Sequence, residues 1–130
     1  MSALSSVAAV TLFAEDHERS KEFYGRAFER EPVYEDAAAV AFRLDNLLVN
    51  VLRREEAPEL VKPAAVAAPD AGPGVLLTLS VEDVDAAVEQ LAARGVELLN
   101  GPVDRPWGVR TACFADPDGH AWEVAGPPRG

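Results

Sequence analysis

Apolar side chains recur at helical spacing in two places along the chain. After Asp16, residues Ser20, Phe23, Tyr24, Ala27 and Phe28 fall on one face, with Glu18, Lys21 and Glu22 opposite. After Asp83, residues Val84, Ala87, Val88 and Leu91 do the same, and Arg94-Gly95 supplies a glycine where a helix ends. Asp16 and Asp83 stand where helix N-caps belong. Shorter runs around these helices have strand character. They lie at 33–35, 38–44 and 47–53, with Asp45-Asn46 as a hairpin turn, and again at 97–99, 110–115 and 121–125. In the second set Asp116-Pro117-Asp118-Gly119 is a turn in which proline fixes one φ and glycine supplies a left-handed position.

The pattern repeats. Val10-Thr11-Leu12-Phe13-Ala14-Glu15-Asp16 is matched by Leu77-Thr78-Leu79-Ser80-Val81-Glu82-Asp83, with Thr, Leu, Glu and Asp recurring in place. Each half therefore reads strand, helix, strand, strand, strand. This is an α+β arrangement of two βαβββ modules with helices on one face of the strands. The first module covers about residues 5–54 and the second about 75–126, within a single domain of residues 1–130. Neither half alone buries much core, so the two are expected to pack as a unit. The link over 55–74 contains Pro58, Pro63, Pro69 and Pro73, which prevent a long regular element, and it reads as a flap or a tether.

Charge narrows the partners. The 130 residues carry 12 basic and 22 acidic side chains, a formal net charge of −10. Such a chain repels nucleic acid and favours basic ligands. No apolar run reaches the length of about 18 residues needed to span a bilayer. The N-terminus lacks the basic region of a secretory signal, so a cytoplasmic location is expected. Cys113 is the only cysteine, which excludes an internal disulfide and a cysteine-based zinc site. It reads as an inert strand residue.

The segment Asp16…Ser20…Phe23-Tyr24 carries the first part of a family resemblance. The second part is Pro106-Trp107-Gly108-Val109-Arg110, followed by Phe114-Ala115-Asp116-Pro117-Asp118-Gly119-His120 and Trp122-Glu123. Together they resemble the vicinal oxygen chelate superfamily of glyoxalases, extradiol dioxygenases and bleomycin-resistance proteins. The resemblance implies paired βαβββ modules whose sheets curl into a cup, commonly in a homodimer. In metal-dependent members, ligands come from the first and last strands of each module, and the first-strand ligand lies seven residues before the capping Asp. The corresponding positions here are Ala9, Asn50, Leu76 and Glu123. Alanine and leucine offer no donor atom, and an amide is a poor ligand for iron, zinc or nickel. The sequence therefore predicts no metal and no other cofactor.

The same register turns Phe13, Asn50, Leu52, Thr78 and Glu123 into the cup, together with Val7, Ala9, Thr11, Leu48, Leu76 and Ala121. A lining of small, apolar and a few polar groups suits an organic ligand, or else fills a second core or a dimer seam. Trp107 reads either as a ring that stacks on a planar ligand or as a plug at the rim. Arg110 binds an anionic group or pairs with a local carboxylate such as Glu123. Tyr34 and Phe42 add aromatic surface. A small-molecule binding protein, sequestering a planar or cationic natural product, is the leading functional expectation. The alternatives are a metal-free isomerase or cyclase with Glu123 as general base, and a metal-dependent dioxygenase or glyoxalase.

Overall fold

The computed structural model describes residues 3–129, and the chain divides into two compact units between Pro69 and Asp70. In the first unit β1 (Ala9–Ala14) leads into α1 (His17–Phe28), then β2 (Tyr34–Glu35), β3 (Ala39–Arg43) and β4 (Leu48–Arg53). The sheet order is β1-β4-β3-β2, with β1 parallel to β4 and the other pairs antiparallel. A 3-10 turn over Arg54–Glu56 and a short α2 (Ala57–Val61) follow. In the second unit β5 (Leu76–Ser80), α3 (Val84–Ala93), β6 (Leu98–Asp104), β7 (Arg110–Ala115) and β8 (Ala121–Gly126) repeat the plan, in the order β5-β8-β7-β6. The fold is α+β, built from two βαβββ modules. No helix among the described residues is long and apolar enough to cross a membrane.

Both aspartates cap their helices. Asp16 Oδ1 accepts from the amides of Glu18 and Arg19 at 3.1 and 3.4 Å, and Asp83 Oδ1 accepts from Ala86 N at 3.1 Å. Helix α3 ends as its sequence suggests. Gly95 takes φ +79°, and the amides of Gly95 and Val96 return to the carbonyls of Ala92 and Leu91. Helix α1 ends differently, with Glu29 in the left-handed region at φ 51°.

One face of each sheet packs against its helix. Leu12, Val40, Phe42, Val49 and Val51 are buried beneath α1, where the Tyr24 ring meets those of Phe28 and Phe42. Ala112, Phe114, Trp122 and Val124 are buried beneath Val84 and Leu91 of α3, with the Phe114 and Trp122 rings stacked at 6.5 Å. Strand alternation then sends the intervening residues to the opposite face.

Three boundaries differ from the sequence reading. Strand β1 starts at Ala9, so Val7 lies outside it and is exposed. Helix α2 forms within the proline-rich link because Pro58 occupies its first turn, where no amide hydrogen is needed. Strand β6 continues to Asp104 rather than stopping at 99. Two register shifts carry it through Asn100-Gly101-Pro102, which resembles a turn in sequence. Gly101 makes this possible. At φ +89° it lies so close to β7 that a Cβ there would sit 2.6 Å from the Thr111 carbonyl oxygen.

Candidate functional site

In the first unit the sheet face away from α1 takes Ala9, Thr11 and Phe13 from β1 and Leu48, Asn50 and Leu52 from β4. Their register pairs Ala9 with Leu48, Thr11 with Asn50 and Phe13 with Leu52. The Asn50 amide Nδ2 donates to Thr11 Oγ1 at the long distance of 3.5 Å. Tyr34 reaches the same face from the outer strand, opposite Ala41, and its hydroxyl donates to Asp36 Oδ2. That bond raises the phenol above its ordinary range and lowers the Asp36 carboxyl, which also accepts from the amides of Ala38 and Ala39.

The second unit repeats this constellation with charge added. Thr78 lies beside Glu123 across the parallel β5–β8 pair, and Thr78 Oγ1 donates to Glu123 Oε1 at 2.9 Å. Cys113 lies beside Glu123 on the other side and is itself paired with Asn100 of β6. Arg105, just past β6, folds back over this face. Its Nε donates to Thr111 Oγ1 at 3.0 Å and its Nη2 to Asn100 Oδ1 at 3.3 Å. The Cys113 thiol feels both charges. Burial raises its pKa, Glu123 raises it further, and Arg105 works in the opposite direction. It is held as a thiol, which leaves it a weak nucleophile.

Two residues expected on the ligand face belong elsewhere. Phe42 is fully buried on the α1 side, because it pairs with Val49 and not with Asn50, so it is core and not ligand surface. Arg110 points to the α3 side. Its Nε and Nη2 grip both oxygens of Asp85 at 3.0 and 3.1 Å, and its Nη1 reaches Asp104 at 3.2 Å. It pairs with neither Glu123 nor a site on the opposite face; it pins β7 to the start of α3. Trp107 is 71% exposed, at a turn closed by bonds between Arg105 and both Gly108 and Val109. Sequence reasoning missed Arg105 and Asn100. The signal lay in the length of chain between Leu99 and Arg110, which a bulged strand explains better than a loop.

The family model described as the Glyoxalase/Bleomycin resistance protein/Dioxygenase superfamily matches residues 6–124. The chain belongs to that superfamily. Among relatives of this superfamily member, the uncharacterized protein YraH of Bacillus subtilis is 31% identical over 124 residues, covering 88% of this chain and 93% of that protein. A glyoxalase-related enzyme from Fulvimarina pelagi has a similar structure, with a TM-score of 0.80 and 30% identity over 98% of this chain and 94% of its own. A glyoxalase/bleomycin resistance protein/dioxygenase from Nocardioides has the same fold, with a TM-score of 0.86 at 24% identity, covering 100% of this chain and 88% of that one.

The residues of this superfamily member do not fit a divalent ion. Ala9 shares its face with Asn50, and Leu76 shares its face with Glu123, but both first-strand positions end in hydrocarbon. Among the described residues no group of three or more His, Cys, Asp or Glu side chains could hold a metal. His17 lies at the start of α1 with Nε2 3.1 Å from the Asp36 carbonyl oxygen, and His120 lies in the turn before β8, where its amide donates to Asp116 Oδ1. Two grooves, of about 610 and 350 Å³, lie on the helix sides. Neither includes Thr78, Arg105, Cys113 or Glu123.

Proposed function

We propose that this chain is a metal-free binding protein for a small organic ligand, held by Glu123 through a cationic group and sequestered rather than transformed. The observation that carries the reading is the state of Glu123. Its carboxylate is half-buried and, among the described residues, its one partner is the neutral hydroxyl of Thr78. A partly desolvated carboxylate without a counter-ion favours a cation that arrives with the ligand. The apolar Leu76 on the same strand face as Glu123 suits a hydrocarbon frame, and Trp107 offers aromatic surface. The acidic net charge draws cations toward the protein in general. A homodimeric, cytoplasmic protein is part of the same reading.

Calorimetry and thermal-shift titration with bleomycin and with the planar cation proflavine test it. The expected result is saturable heat and a raised melting temperature for at least one probe, with affinity reduced about tenfold or more by Glu123→Gln. No heat and no shift from either probe overturns the proposal.

A second reading is a metal-free isomerase or cyclase in which Glu123 is a general base. The Thr78 bond favours it by holding the carboxylate in one orientation. Turnover retained in Glu123→Gln removes Glu123 from that role.

A further inference from the structure

The face that carries Glu123 also carries an unneutralised cation. Arg105 is half-buried, and its two hydrogen-bond partners, Thr111 Oγ1 and Asn100 Oδ1, are both neutral oxygens. Among the described residues neither Arg105 nor Glu123 has a charged partner within ion-pair distance. Two opposite charges therefore lie on one sheet face and do not pair with each other. Arg105 is held at Thr111 of β7, and the next residue of that face, the small neutral Cys113, lies beside Glu123 on one side and Asn100 on the other.

Thr111 and Asn100 take Nε and one bond from Nη2 of Arg105, and among the described residues Nη1 has no hydrogen-bond partner, which leaves donors on the Nη1–Nη2 edge. That edge matches the two oxygens of a carboxylate or phosphate. The two neutral partners hold the guanidinium flat without cancelling its charge. By contrast, Arg110 on the other face of the same strand is saturated by Asp85 and Asp104.

Resting on the reading that Glu123 receives a cation, we infer that the ligand is a zwitterion, with an ammonium group at Glu123 and an oxyanion at the open edge of Arg105. Residues Asn100 and Glu123 are two strands apart, a span of about 10 Å between backbones. The two ligand charges are accordingly separated by a short unbranched or planar spacer that passes over Cys113. Thr111 and Asn100 are positioning residues for Arg105.

The test uses the full chain and a ladder of ω-amino acids from aminobutyrate to aminooctanoate, each paired with its amide. The amide keeps the ammonium group and the spacer and loses the oxyanion. Affinities are read by calorimetry, with amide-shift mapping on β7 and β8 of the wild-type protein. At one spacer length the acid is expected to bind at least about tenfold more tightly than its amide. That ratio falls to about one in Arg105→Gln and is only partly retained in Arg105→Lys, which keeps the charge but not the fork. Phosphonate analogues of the best acid separate a carboxylate from a phosphate-like partner. Equal binding of acid and amide overturns this inference while leaving the cation role of Glu123 intact. Failure of every acid and amide overturns it as well, and the proflavine titration then decides separately whether the cation role survives. Shifts confined to residues outside β7 and β8 also overturn it, whether or not the Arg105 variants fold.

Discussion

Glu29 closes helix α1 in a left-handed conformation, φ 51° and ψ 51°, that side chains bearing a Cβ adopt at a cost. The equivalent end of α3 uses Gly95 for this purpose. The amides of Glu29 and Arg30 return to the carbonyls of Arg26 and Gly25, so backbone hydrogen bonds hold this geometry. Glu29→Gly is therefore expected to stabilise the protein by about 0.5–1 kcal/mol, the Cβ cost less the added entropy of the unfolded glycine chain. Chemical denaturation at constant m-value checks it; an unchanged or lowered midpoint contradicts the assignment of strain to this residue. The faces that Arg110 and Phe42 occupy are set by strand register. Both were legible as chemically able residues, but a one-residue step along a strand puts a side chain on the other face. Each falls on the helix side, where it packs or pairs.

The junction of α3 with the edge of its sheet is held by charge. Arg110 and Arg129 both bind Asp85, whose pKa falls from the ordinary 3.8 to about 2, chiefly through the hydrogen bond from Arg110. A depressed carboxylate pKa contributes stability that is complete above its unfolded value and lost as pH falls through its folded value. The contribution is thus expected to persist above about pH 4 and to disappear between pH 4 and pH 2. Asp85→Asn should remove that part of the acid dependence, leaving a shallower loss of melting temperature over the same window. An identical acid limb in variant and wild type contradicts the pairing. Helices and hairpins were well marked in the sequence, because caps, glycines and the Asp116–Gly119 turn act locally. Strand β6 was not, because its bulge at Gly101 breaks the alternation and its partner β7 lies beyond the next turn. Arg105 and Asn100 went unnoticed for that reason. No local pattern announces a side chain that folds back across its neighbour.

The duplication is the organising fact for the whole chain. Thr11 with Asn50 and Thr78 with Glu123 occupy matching register positions in the two units, so one plan produces a neutral pair and an acidic one. The α+β fold and its repeat could be read directly from sequence, since the hydrophobic spacing of each half is complete in itself. Candidate chemistry could be read only in part. Type and position of Ala9, Asn50, Leu76 and Glu123 were available, whereas the pairing of Glu123 with Thr78 and the approach of Arg105 required the register. Hydrocarbon at Ala9 leaves the first strand pair only the Asn50 amide, and hydrocarbon at Leu76 leaves the second only the Glu123 carboxylate, each too few donors for a divalent ion. Elemental analysis of the native protein, purified without chelator and passed through gel filtration, tests it directly. The expected result is iron, zinc, nickel and manganese each far below one ion per chain, with no change in melting temperature on adding chelator. One tightly retained ion per chain, lost in Glu123→Gln, would contradict it.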